Sequence, residues 1–161
     1  MPKIHADMLT EDLYRRLCGV DVGSLASHAI LLCTTDADGQ PHPAMLSYFE
    51  VAAPDRHNLR LAVYNDSRTY ANLRERGKAT LIVVDVDLVC YIRGTVDAVE
   101  RTMREAPYNA KLNLRIAQVE FDAASPELEP GADVTSGISY RPRTDEALAR
   151  AHAVLAELLH A

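Results

Sequence analysis

The sequence predicts a mainly β protein, an antiparallel β-barrel with helices at its periphery. Three observations carry that prediction. Six short apolar or alternating runs recur between Ala29 and Phe121, separated by turn-forming residues. The pair Asp38-Gly39 stands between the first two runs, where a tight hairpin demands a positive-φ position. Helical periodicity is confined to the two ends and to the segment from Ser67 to Arg76, so no repeated strand–helix–strand units are present.

The elements follow in chain order. Thr10-Glu11-Asp12-Leu13-Tyr14-Arg15-Arg16-Leu17 predicts a short helix. Thr10 is its N-cap, and two acids occupy the first turn, where the helix dipole favours them. Ala29 to Thr35 is a buried strand by length and content. After the Asp36-Ala37-Asp38-Gly39-Gln40 turn, Pro41 and Pro43 flank the entry to a strand over Ala44 to Val51. Proline donates no ladder bond, so that strand starts at an edge or a bulge. Asn58 to Tyr64 alternates, with Leu59, Leu61 and Val63 on one face. The short helix from Ser67 to Arg76 comes next.

Ala79 to Val84, Leu88 to Val99 and Asn113 to Phe121 complete the six strands, and Gly94 marks a bulge or a close approach. Residues 124–143, rich in Pro, Gly, Ser and acids, form an ordered loop or crossing segment. The chain closes on an amphipathic helix begun by Asp145 and Glu146. Ala147, Leu148, Ala151, Val154, Leu155, Leu158 and Leu159 make its apolar stripe.

The 161 residues, 48% apolar and 25% charged, fit a single domain over 1–161 with an N-terminal and a C-terminal helix. A chain of this length buries roughly 70% of the surface its unfolded form exposes, enough for a core without staples. A net charge of −6 argues against a general nucleic-acid binder, which needs a basic footprint. No apolar run approaches the roughly 20 residues of a membrane span, and Met1 to Asp7 lack an apolar signal core. Cys18, Cys33 and Cys90 show no Cys-x-x-Cys spacing and read as free thiols of a reducing cytoplasm. The six histidines have no metal-ligand spacing, so no metal site is expected.

The chemistry concentrates at Tyr64-Asn65-Asp66-Ser67-Arg68-Thr69. Hydroxyls and free backbone N–H groups at a helix start donate to phosphate oxygens, and Arg68 adds a planar fork. Asp66 or Ser67 also serves as an ordinary helix cap, a role compatible with anion binding by the later groups. Ser136-Gly137-Ile138-Ser139-Tyr140-Arg141 reads either as a surface turn or as a hydroxyl-rich segment reaching over a bound ring.

The run Thr34-Thr35-Asp36-Ala37-Asp38-Gly39-Gln40-Pro41-His42-Pro43 resembles the first hairpin of the pyridoxamine 5′-phosphate oxidase-like, FMN-binding split-barrel proteins. Ser67-Arg68, then Asn72-Leu73-Arg74, then Tyr91-Ile92-Arg93-Gly94 with Val96 follow in that family's order. The resemblance covers roughly residues 10–122. It implies a six-stranded antiparallel split β-barrel that dimerises, with FMN at the subunit interface. It places the flavin phosphate on Ser67, Arg68 and Thr69, the ring along Ala44, Met45, Leu46 and Ser47, and Val63 and Tyr64 close by.

True pyridoxamine phosphate oxidases have an arginine near Ala44, a lysine near Phe49 and a lysine at Thr69. They also carry a C-terminal arginine and tryptophan motif. This chain lacks all of these and has no tryptophan, which sets it among the shorter relatives. The implied activity is FMN-dependent redox chemistry on a small organic substrate, with no catalytic protein residue designated. The alternatives are an F420-dependent reductase, a non-catalytic flavin or haem binder, and a barrel that has lost its cofactor.

Overall fold

The computed structural model describes residues 3–160. Its elements are β1 (Lys3–His5), α1 (Glu11–Leu17), β2 (Ala29–Thr35), β3 (Pro41–Ser47), β4 (Val51–Ala52), β5 (Asn58–Tyr64), α2 (Arg68–Arg76), β6 (Lys78–Asp85), β7 (Leu88–Glu100), β8 (Asn109–Phe121) and α3 (Asp145–Leu159). All strand pairs are antiparallel, in the order β3-β2-β6-β7-β8-β5-β4, with β1 added on β8. The sheet curls into a split barrel around one continuous apolar core that includes Ile30, Leu32, Phe49, Leu61, Leu81, Ile92 and Leu112.

The sheet holds eight strands where six were expected, for two local reasons. The run predicted as one strand from Ala44 to Val51 breaks at Tyr48–Glu50. There Glu50 N–H donates to Ser47 O at 3.0 Å, and the Glu50 carboxylate accepts from Ser47 N–H at 3.0 Å. That turn splits the run into β3 and the two-residue β4. On the other side, β5 leaves β8 at the Asn58↔Arg115 pair, and β1 covers the β8 edge at Val119–Phe121. β8 also begins four residues earlier than its apolar pattern suggested, at Asn109 rather than Asn113.

Burial alternates along β6, as a half-buried strand requires. At Gly94 the β7–β8 register shifts, and a Cβ there would stand 2.5 Å from Arg115 O, so the crossing strands permit no side chain. Thr10 caps α1 and Thr144 caps α3, each hydroxyl oxygen accepting from the third residue onward. Arg16 ties α1 to the barrel: Nε donates to the Tyr48 hydroxyl at 2.8 Å, and Nη2 pairs with Asp85, which also meets His28 Nδ1 at 3.0 Å.

Helix α3 packs on β4 and β5 from outside. The buried Glu157 on α3 accepts from the backbone N–H groups of Arg104 and Glu105, at 3.0 and 2.7 Å, and so fixes the β7–β8 connection. The segment before α3 is a strap docked on its own barrel, through Ala29 N–H to Ile138 O and Tyr140 N–H to Ser27 O, both at 2.9 Å. Among the described residues no helix is long and apolar enough to cross a membrane.

Candidate functional site

The site forms where β5 hands over to α2. Ser67 is the N-cap: its Oγ accepts from Tyr70 N–H at 3.1 Å and donates to Tyr64 O at 2.7 Å. The cap therefore falls to Ser67 rather than Asp66, and its hydroxyl is committed. The N–H groups of Arg68 and Thr69 occupy the first two helical positions, which have no intrahelical acceptor. The Thr69 side chain is buried, whereas that of Arg68 is 66% exposed. The α2 start thus offers two backbone donors and one exposed guanidinium.

A polar cluster fixes this helix start against the β2–β3 hairpin. Asn72, buried on α2, donates from Nδ2 to Asp36 Oδ1 at 2.8 Å and to Thr34 Oγ1 at 3.1 Å. Arg76 donates from Nη2 to Asn72 Oδ1 and from Nε to Thr35 O at 2.6 Å. Asp36 in turn lies 3.5 Å from Arg68 Nη1 and 3.9 Å from His42 Nδ1. The Asn72 hydrogen bond first, and then the positive Arg68 and Arg76, hold the Asp36 carboxyl below the usual carboxylate value. Asp36 is accordingly an anion at neutral pH, and it orients Arg68.

Helix α2 packs on β2 and β3, which brings the second set of expected residues alongside. β3 is an edge strand, as its prolines foretold. Met45 is 56% exposed, Ala44 is half-buried, and Leu46 and Ser47 are buried. Val63 points into the core, and Tyr64 is 61% exposed. Ala44, Met45 and Tyr64 therefore keep accessible side chains, whereas those of Leu46, Ser47 and Val63 are buried. The Ser136–Arg141 segment docks on β2 and the end of β6 of its own chain.

Sequence reasoning treated Asp36 as a turn residue and gave Asn72 no role in the site. The signal for both was available: asparagine is a poor helix former, and one inside a helix beside apolar residues needs polar partners. Among the described residues no group of three or more His, Cys, Asp or Glu side chains is placed to hold a metal ion. The α2 start is cationic and suits an anion, and Met45 on β3 and Tyr64 at the end of β5 are exposed.

A sequence model of pyridoxamine 5′-phosphate oxidase matches residues 24–134, a span that holds the hairpin, the α2 start and every strand from β2 to β8. The chain belongs to the pyridoxamine 5′-phosphate oxidase family. The chain is also similar to the uncharacterized protein YclD of Bacillus subtilis (strain 168), 27% identical over 144 residues, covering 89% of this chain and 90% of that protein.

Two solved structures share the fold. One is a Lactobacillus delbrueckii protein provisionally named a pyridoxamine 5′-phosphate oxidase, with a TM-score of 0.57 and 22% identity, covering 74% of this chain and 98% of that one. The other is an FMN-binding protein from Syntrophomonas wolfei subsp. wolfei, with a TM-score of 0.55 and 15% identity, covering 71% of this chain and 90% of that one. Within the pyridoxamine 5′-phosphate oxidase family, then, this chain presents the split barrel with Arg68 as the exposed cation at the α2 start.

Proposed function

We propose that the protein is an FMN-dependent oxidoreductase acting on a small organic substrate as a homodimer, with the flavin at the subunit interface. The observation that carries this reading is the exposed Arg68, set on a capped helix start. Family membership and the likeness in fold to an FMN-binding protein support it.

The residues present fit such a group. The N–H groups of Arg68 and Thr69 and the Arg68 guanidinium would hold the phosphate, and Ser67 keeps those donors aimed outward by capping the turn. Asp36 and Asn72 position Arg68 and leave its fork free to turn toward a ligand. Ala44 and Met45, with backbone from Leu46 and Ser47, would line the ring on one side, and Val63 and Tyr64 on another. When bound, FMN supplies two-electron transfer through its N5; the chain supplies position and polarity. The free thiols of Cys18, Cys33 and Cys90 suit a reducing compartment such as the cytoplasm.

The test is an absorbance spectrum of the purified protein, with and without added FMN, F420 and haem, followed through gel filtration. A flavin spectrum eluting with a dimer is the expected result. F420 or haem in its place would keep the fold and change the chemistry, and uptake of none of them would remove the cofactor assignment.

A further inference from the structure

A second cleft, about 200 Å³ in volume, opens between the end of β5, the β7–β8 connection and α3. Phe49, Glu50, Tyr64, Tyr108, Asn109 and Arg143 line it, with the exposed Arg150 beside them. Three of these groups carry the polar chemistry of the cleft.

Arg143 is held flat. Its Cζ lies 5.1 Å from the ring centroids of both Phe49 and Tyr140, and Nη1 donates to Ala26 O at 3.1 Å and to the Tyr140 hydroxyl at 2.7 Å. Among the described residues its Nε and Nη2 have no hydrogen-bond partner and no carboxylate lies within ion-pair distance. Glu50 is deep in the turn after β3, where one oxygen accepts both Ser47 N–H and Oγ–H, at 3.0 and 2.8 Å. Asn109 is 4% exposed, and its Oδ1 is buried with no hydrogen-bond partner. A buried amide oxygen without a partner is rare in folded proteins and calls for an explanation.

We infer that this cleft binds a small single-ring carboxylate that also carries an O–H or N–H donor. A carboxylate matches the planar fork of a guanidinium held flat through Nη1, with Nε and Nη2 not hydrogen-bonded among the described residues. Asn109 Oδ1 only accepts, so the ligand must donate to it. The volume falls below the roughly 300 Å³ at which pockets begin to hold drug-sized ligands, which limits the ligand to about one ring. The rings of Tyr64 and Tyr108, with centroids 6.0 Å apart, supply aromatic surface for it. A cation would meet Arg143 and Arg150, and the second charge of a phosphate would face Glu50.

Tyr64 lines both this cleft and the proposed flavin wall. Naming the ligand as the substrate rests on the flavin reading; its binding does not.

The experiment is calorimetric titration of 4-hydroxybenzoate into the full-length protein, with and without FMN. Saturable binding is expected. Arg143→Met weakens it about tenfold or more, the loss of a charge-assisted hydrogen bond. Asn109→Leu weakens it by a similar factor, and Arg150→Ala by about two- to fivefold, as an exposed charge should. Glu50→Gln strengthens binding by removing a negative charge. Benzoate, which lacks the donor, binds more weakly than the probe to the wild type and equally to Asn109→Leu.

No saturable binding at millimolar probe overturns the proposal. So does binding that Arg150→Ala and Glu50→Gln leave unchanged, a pair that stays informative where Arg143→Met does not fold. If the probe binds as expected but FMN does not, the cleft stands and the flavin reading alone falls.

Discussion

Asn72 donates to the Asp36 carboxylate across 2.8 Å, and this buried amide fastens α2 to the β2–β3 hairpin. The same amide serves Thr34 and Arg76. Asn72→Leu strips partners from a carboxylate, a hydroxyl and a guanidinium at once. It should cost about 2–4 kcal/mol, two to three hydrogen bonds with charged members among them. Urea denaturation reads this as a lower midpoint at unchanged slope.

Arg68→Ala removes the exposed cation while leaving the Ser67 cap in place. FMN affinity should fall by about 1.5–3 kcal/mol, the value of a hydrogen bond to a charged group. Quenching of FMN fluorescence on titration measures it. An unchanged dissociation constant would assign the phosphate to other residues.

Glu50 gives a pH signature. Burial, the dominant cause, pushes its carboxyl above the ordinary value of 4.5, and the two Ser47 bonds and Arg143 offset only part of that. The folded protein therefore binds a proton that the unfolded chain has released. This contribution to stability is complete below pH 4.5 and is lost as pH rises through the folded-state value. Glu50→Gln removes the dependence. Denaturation midpoints across pH 4 to 8 should decline for the wild type in that window relative to the variant, with the two converging in acid.

Gly137 passes so close to β6 that a Cβ would stand 2.1 Å from Val84 O. Gly137→Ala must lift the strap. A cost of about 1–3 kcal/mol is expected, typical of overpacking against immovable backbone. Thermal denaturation reports the cost, and faster amide exchange at Ala29 and Tyr140, whose N–H groups join strap and barrel, locates it.

Much of the barrel was legible because its strands obey simple patterns. The alternation of Leu59, Leu61 and Val63, the Asp38-Gly39 turn and the stripe on α3 each point one way, and each element formed there. The break at Tyr48–Glu50 was not legible. Tyr48 and Phe49 are as apolar as strand residues, and the turn is made by Glu50 bonding back to Ser47 through its backbone and its side chain together. β1 and β4 are too short for any periodicity to show. The α2 start was readable as an anion site from Ser67-Arg68-Thr69, yet the division of labour among those three was not. Which hydroxyl caps and which side chain turns inward depends on the hairpin packed against the helix. Asn109 sits in an ordinary strand sequence, and its unpaired oxygen is a property of the assembled fold alone.

The strap bears on the order in which the molecule comes together. Arg143 reaches Ala26 across 117 positions of chain, and nothing local helps that contact form. Loop closure favours the hairpins first, β2 with β3 and β6 with β7, and leaves the strap for the end. What docks last by few hydrogen bonds also opens first. The strap can therefore lift from β2 without parting any pair of barrel strands, while α3 stays seated through Val154, Leu155 and Leu158 in the core. Traffic through the Arg143 cleft would then be set by a small local opening, well below the free energy that holds the barrel.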